Sequence, residues 1–312
     1  MLHLLTLLAG LVLLLGGAEV LVRSARSFGL RVGLSPVVVG LTIVAYGTST
    51  PELVVSTAAT LEGHKEIALA NVVGSNICNI LLILGLCALI RPMGVHSRIL
   101  RIEAPMVVGI SIAVSALLLV GEVGRLAGAA LLLGLVGYTA WTVKLARVES
   151  ATIAADIGDA QLGATRSSWT DAGMAAASLG LLFGGASLFV RGAADLAAAL
   201  GTPPVVVGLT VVAIGTSLPE LATSVVAALR GHGDIAIANV LGSNFFNLSG
   251  VLGTAALVDP IGSQDGSPTD LFAMIASAAV LLGFLYTRQR LGRWEGALLL
   301  CGYGLYLATL MR

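Results

Sequence analysis

Two glutamates, Glu52 and Glu220, stand inside long apolar stretches, each closing the pattern Gly-Thr-Ser-x-Pro-Glu (residues 47–52 and 215–220). A carboxylate inside a hydrocarbon layer is costly, so its presence points to function. Two of them brought together would repel. At an effective dielectric of about 20, unit charges roughly 4 Å apart interact by about 4 kcal/mol. A proton on one carboxylate, or a cation between the two, relieves that repulsion. One divalent ion or two monovalent ions would neutralise the pair.

The neighbouring residues can complete such a site. Thr48 lies four residues before Glu52 and shares a helical face with it. Pro51 and Pro219 each remove a backbone donor, and Gly47 and Gly215 ease a break in the helix. Carbonyls around Ala45 and Thr48, and around Ala213 and Thr216, must then find other partners. In a membrane that is tolerated only inside protein or against a polar cavity. A second pattern, Asn-x-x-Gly-Ser-Asn-x-x-Asn, runs over 71–79 and 239–247. It puts Ser75 and Asn79, and Ser243 and Asn247, one helical turn apart. The resulting donor set is all oxygen, which suits a hard ion, Ca²⁺ or by the same logic Na⁺. No Cys or His joins it, which argues against zinc or copper. Asn71, Asn239, Asn76 and Asn244 have two readings, as ligands or as hydrogen-bonding groups that hold helices together.

The elements that must position these groups are membrane helices. Of 312 residues, 57% are hydrophobic and only 11% charged, too little polar surface for a soluble chain of this length. The 39 glycines fit close helix packing. A span needs about 20 apolar residues. Ten such segments can be drawn, near 3–22, 35–61, 66–90, 102–120, 125–144, 170–199, 203–229, 233–257, 269–287 and 293–311. Residues 36–80 and 204–248 align without a gap at an offset of 168, with 29 of 45 positions identical. The identities include Thr, Ser, Pro, Glu, His and Asn, which shared apolar composition cannot produce. The expected organisation is a five-helix repeat over 1–145, a cytoplasmic linker over 146–170 and a second five-helix repeat over 171–312. An odd number of spans per half makes the second half enter the membrane in the opposite sense. The expected fold is thus an all-α polytopic membrane protein of ten transmembrane helices in two inverted-topology repeats, an arrangement used by secondary transporters.

Of the 17 Lys and Arg, thirteen fall on the side of the central linker and four on the other. By the positive-inside rule the linker faces the cytoplasm and both termini face out, in a plasma (inner) membrane. The N-terminal run lacks a basic segment before its apolar core, and we read it as the first span. Cys78, Cys87 and Cys301 make neither a metal spacing nor a disulfide framework. A net charge of zero gives no basis for nucleic-acid binding. Glu19, Glu103, Asp171, Asp195, His64 and His232 are expected near the membrane interfaces. No HExxH, GxSxG or nucleotide loop is present, so no enzyme is expected.

The segments with GTSTPE and GSNICN, and with GTSLPE and GSNFFN, resemble the alpha repeats of the sodium/calcium exchanger family, prokaryotic type. The resemblance covers essentially the whole chain. It implies a secondary active antiporter that exchanges sodium for calcium by alternating access, with Ca²⁺ and Na⁺ as substrates; no cofactor is expected, membrane lipid is the surroundings, and a monomer is one option for an oligomeric state the sequence leaves open. It implies a central calcium site at Glu52, Glu220 and the backbone oxygens of Thr48 and Thr216. It implies flanking sodium sites at Ser49, Ser75, Ser217 and Ser243 with the carbonyls of Ala45 and Ala213, and Asn79 and Asn247 completing the middle. Some relatives carry Asp where this chain has Asn247, which makes potassium coupling less expected here. Calcium/proton antiport is the alternative, and a cation channel a more distant one, because a channel usually needs symmetric subunits around a pore.

Overall fold

The computed structural model describes residues 2–157, 168–199 and 215–310. Within them the chain is helical almost throughout. Helix α1 spans Leu2–Arg31, α2 Pro36–Thr48, α3 Thr50–Leu61, α4 Lys65–Ile90, α5 Ile99–Val120 and α6 Arg125–Ile157. The second half contains α7 Ser168–Ala199, α8 Leu218–Leu229, α9 Gly233–Val258, α10 Pro268–Arg288 and α11 Arg293–Leu310. Seven of these, α1, α4, α5, α6, α7, α9 and α10, are long and apolar enough to cross a bilayer alone. Helices α2 and α3 meet at 42° and make an eighth span if counted together. Helix α8 repeats α3, but most of the segment expected to precede it (residues 203–214) lies outside the described residues. The molecule is an all-helical polytopic membrane protein. The expected linker begins as a continuation of α6, which runs on to Ile157; residues 158–167 are outside the described set.

Helix α9 is the centre of the bundle. Of its most apolar stretch, 94% is buried by other helices, against 33% for α1, whose outer face carries exposed Leu4, Leu8, Leu11 and Leu15. Glycine brings α2 onto α9: a Cβ at Gly242 would lie 2.5 Å from the Leu41 carbonyl oxygen and 2.8 Å from the Ala45 Cβ. Helices α1 and α7 also touch at backbone distance. A Cβ on Gly185 would stand 2.7 Å from the Leu14 nitrogen, and one on Gly192 2.6 Å from that of Leu7.

The duplication persists in structural detail. Helices α3 and α8 begin and end at positions 168 apart. Each is stopped by a left-handed glycine, Gly63 at φ 85° and Gly231 at φ 82°. The histidine after each glycine donates its N–H back into the helix, His64 to Ala59 and His232 to Ala227, both at 2.8 Å. Four two-residue strands form two antiparallel ladders, β1 (Met93–Gly94) with β4 (Arg290–Leu291) and β2 (Glu122–Val123) with β3 (Ile261–Gly262). The pairs are Met93 with Leu291 and Val123 with Ile261, so the same offset of 168 turns one ladder into the other. Every ladder takes one strand from each half.

Ion pairs mark the two ends of the bundle. At one end Arg31 of α1 meets Asp171 of α7 at 3.3 Å. At the other His3 meets Asp195 at 3.3 Å and Lys65 meets Asp259 at 3.1 Å. Helices α1 and α7 are therefore antiparallel, as are α4 and α9, the relation an inverted repeat requires. Two of the acids expected near the interfaces are shielded from solvent by the protein. Asp171 is 1% exposed, and Ser27 donates to it at 2.7 Å in addition to the Arg31 pair. Glu103 is 1% exposed and takes Nε of Arg98 at 2.8 Å together with the Tyr138 hydroxyl. A carboxylate removed from water needs such partners, and they come from other turns and helices.

Candidate cation site

The break between α2 and α3 arises locally. Pro51 occupies the first turn of α3, where its missing N–H costs least, and it cannot donate to the carbonyl four residues back. Ser49, at φ −84° and ψ 8°, leaves helical geometry between the two pieces, and Ser217 does the same at −88° and 4° before α8. Thr50 donates its hydroxyl to the Tyr46 carbonyl at 3.0 Å, which supplies one loosened acceptor. The Ala45 carbonyl keeps the Ser49 N–H at 3.0 Å and also accepts from Ser243 at 3.4 Å. The break places Glu52 and Glu220 in the first turns of α3 and α8, where the helix dipole favours negative charge.

The two carboxylates are 1% and 0% exposed, and each is held by the opposite repeat. Ser49 donates to Oε1 of Glu220 at 2.7 Å; Ser217 donates to Oε1 of Glu52 at 3.4 Å and lies 3.3 Å from the Ser75 hydroxyl. No Lys, Arg or His among the described residues forms an ion pair with either glutamate. Oε2 of both glutamates makes no hydrogen bond. Asn79 and Asn247 follow one and a half turns past Gly74 and Gly242. Each opens a short π-helical stretch, Asn79–Leu84 and Asn247–Val251, a widening of the helix common at functional sites. Asn79 gives its amide N–H to Asn244 at 2.9 Å and leaves Oδ1 without a partner; Asn247 has no partner for Oδ1 or Nδ2. Buried polar atoms without partners are rare, and here they cluster with uncompensated carboxylates.

A second group of polar residues is already saturated. Asn71 donates to Ser56 at 2.9 Å and to the Glu52 carbonyl at 3.3 Å; Asn239 donates to Ser224 at 2.9 Å. Their oxygens accept from Thr216 at 3.3 Å and from Thr48 at 3.5 Å respectively. These asparagines tie α4 to α3 and α9 to α8, and tie each repeat to the break of the other. Ser56 and Ser224 were not singled out by the motifs. Their signal is a serine one turn after each glutamate, repeated at the same offset. Asn76 donates to the Val72 carbonyl of its own helix at 2.7 Å, and Asn244 to the Asn76 carbonyl at 3.2 Å. Of the twelve residues expected at the site, Ala213 lies outside the described residues. The other eleven are brought into one region where α2, α3, α4, α8 and α9 meet, all buried but the half-buried Thr216.

The arrangement is two carboxylates, four serines, two threonines and two amides, all able to offer oxygen to a cation. No cluster of three or more His, Cys, Asp or Glu is found among the described residues. Such a set can hold hard cations and has no nucleophile–base pair for covalent chemistry. A sequence profile described as sodium/calcium exchanger protein matches residues 2–144 and 171–312. The chain belongs to the sodium/calcium exchanger protein family. It is a transporter-family protein and not an enzyme. This exchanger-family chain is 32% identical to sodium/calcium exchanger MaX1 of Methanosarcina acetivorans over 359 aligned positions, covering 98% of this chain and 97% of the relative. It is 36% identical to inner membrane protein YrbG of Escherichia coli over 312 positions, covering 97% and 95%. The structure superposes on that of the sodium-calcium exchanger NCX_Mj soaked with 2.5 mM Na⁺ and 0.1 mM Ca²⁺ with a TM-score of 0.84, at 30% identity and 99% coverage of both chains.

Proposed function

We propose that this exchanger-family protein is a secondary active antiporter that moves Na⁺ and Ca²⁺ in opposite directions across the membrane. The observation that carries the reading is the buried pair Glu52 and Glu220, each bonded by a serine of the other repeat and neither offset by a cationic side chain. Charge balance then falls to the transported ion. One Ca²⁺ balances both carboxylates at once, and Na⁺ ions balance them severally. The two substrates therefore compete for overlapping oxygens. NCX_Mj and MaX1 carry sodium and calcium in their names, which supports these substrates.

In this reading Glu52, Glu220 and the carbonyls of Thr48 and Thr216 hold Ca²⁺. Ser49, Ser75, Ser217 and Ser243, with the carbonyls of Ala45 and Ala213, hold Na⁺, and Asn79 and Asn247 complete the shell. Helices α1 and α7 supply no ligand and pack on one another through Gly10, Gly185 and Gly192. We assign them the movement that exposes the site to one side and then the other. An ion-free pair of carboxylates is too costly to carry through the closed state, and that cost couples the two fluxes. The protein would sit in the inner membrane, as the name of YrbG places that relative, with both termini outside and the linker cytoplasmic.

The test uses sealed vesicles of the reconstituted protein. A sodium gradient should drive uptake of radiolabelled calcium, and Glu52→Gln and Glu220→Gln should each abolish it. Uptake that persists in both variants rejects the site. Uptake that follows a pH gradient and ignores sodium would replace this reading with calcium/proton antiport.

A further inference from the structure

The basic end of α1 holds a cavity of about 460 Å³ whose lining includes none of the residues assigned to the cation site. Arg23, Arg26 and Arg230 line it, with one carboxylate, Glu19, between them. Glu19 is shared: Arg230 reaches it at 2.8 Å and 2.9 Å, and Arg23 pairs with it as well. Arg26 pairs with no carboxylate among the described residues. Its Nη1 lies 3.3 Å from Nε2 of His232, which takes the contact as a neutral acceptor. Burial, and next the Arg26 charge, hold the His232 imidazole below its ordinary pKa, which favours that neutral form. Arg91 stands beyond the same turn and donates to the Leu229 carbonyl at 3.2 Å.

Other arginines at this end are differently placed. Arg31 has Asp171, Arg98 has Glu103, Arg288 has Glu295 and Arg293 has the Leu89 carbonyl. The cavity thus concentrates three guanidinium groups on one carboxylate, an excess of positive charge in a concave site. The rest of its lining is Val22, Ser27, Leu30 and His232; of these Leu30 is an exposed apolar side chain, 49% exposed, in line with the exposed leucines of the outer face of α1.

We infer that this cavity binds the phosphate of an anionic phospholipid headgroup, with Arg23, Arg26 and Arg230 as its donors and Leu30 against the first part of the acyl chains. Guanidinium groups give phosphate paired hydrogen bonds, and basic pockets between membrane helices at the positive end are suited to lipid headgroups. A soluble phosphate would satisfy the arginines but leave the exposed Leu30 uncovered. The bound headgroup would tie α1, through Arg26, to the turn between α8 and α9, through Arg230. It would thereby stabilise one position of α1 relative to the fixed core.

The test takes the full chain into nanodiscs of phosphatidylcholine, with or without phosphatidylglycerol. The readouts are the thermal midpoint and the phosphatidylglycerol retained in native mass spectrometry. Phosphatidylglycerol should raise the midpoint of the parent. Arg26→Gln and Arg230→Gln should each lose at least half of that rise and of the retained lipid. Arg101→Gln and Arg290→Gln, at the same end but outside the cavity, should keep both. Arg26→Gln breaks no ion pair, so its midpoint in phosphatidylcholine alone reports whether it is folded, and it decides the matter if Arg230→Gln unfolds. A full phosphatidylglycerol response in Arg26→Gln overturns the site. So does an equal loss in Arg101→Gln, which would reduce the effect to general surface charge. A midpoint rise of the same size from soluble glycerophosphate in phosphatidylcholine discs would assign the cavity to a free anion and overturn the lipid.

Discussion

The hydroxyl of Ser49 donates to Oε1 of Glu220 at 2.7 Å, so the broken helix of one repeat holds the carboxylate of the other. The equivalent contact from Ser217 to Glu52 is 3.4 Å long. Hydrogen bonds to charged groups contribute about 1.5–3 kcal/mol, and the shorter one should contribute more. Ser49→Ala is expected to weaken calcium binding by about tenfold or more, each factor of ten being about 1.4 kcal/mol. Ser217→Ala should cost clearly less. Calorimetric titration of the two variants checks the order; equal losses would mean that both serines act chiefly on the ion.

The asparagines divide into two kinds that a mutation can separate. Asn239 is bonded to Ser224 and Thr48, so Asn239→Ala should destabilise the ion-free protein by about 1–3 kcal/mol through the partners it strands. The side chain of Asn247 makes no hydrogen bond within the protein, so Asn247→Ala should leave ion-free stability nearly unchanged. It should instead lose most of the thermal stabilisation that added calcium gives the parent. Denaturation midpoints with and without calcium distinguish the two patterns.

Gly242 lets α9 lie against α2 and brings Ser243 to the Ala45 carbonyl. A methyl group there would press on the Leu41 backbone, which cannot rotate away. Gly242→Ala should cost about 1–3 kcal/mol from overpacking and should reduce sodium-driven calcium flux more than it reduces stability. Flux retained at the parent level would show that this close approach does not set the site's geometry.

His232 provides a pH dependence outside the membrane. Its folded pKa is below the unfolded value of about 6.5, so the folded state resists protonation. The stability this contributes is present above that value and is lost as pH falls from it towards the folded pKa. His232→Gln should flatten the decline in thermal midpoint as pH falls below about 6.5. An unchanged decline would locate the acid sensitivity elsewhere.

Much of the architecture could be read from one sequence, because the duplication pairs each functional residue with a second copy. The glutamates, the Pro51 and Pro219 breaks and the serine–asparagine spacing were all visible as chemistry out of place in an apolar run. The contacts between repeats were not. Nothing near Ser49 announces that its partner is Glu220, since the packing of α2 against α8 depends on every helix between them. Asp171 and Glu103 read as interfacial because each sits near a segment end, but nothing in the sequence shows that Arg31 and Arg98 pair with them and let both be buried. Ser56 and Ser224 were overlooked because a lone serine in a membrane helix usually bonds to its own backbone, and only the fold sets them opposite Asn71 and Asn239.

The pairing of Met93 with Leu291 has a consequence for how the protein is made. Neither ladder can close within one half, so the ladder of Met93 stays open until the last loop is synthesised. About 200 residues separate those two positions, which at roughly 5–20 residues per second is about 10–40 seconds of translation. For most of that interval, until residue 217 has been made, Glu52 lacks the hydroxyl of Ser217, and a half-built chain with unpaired groups is open to misassembly.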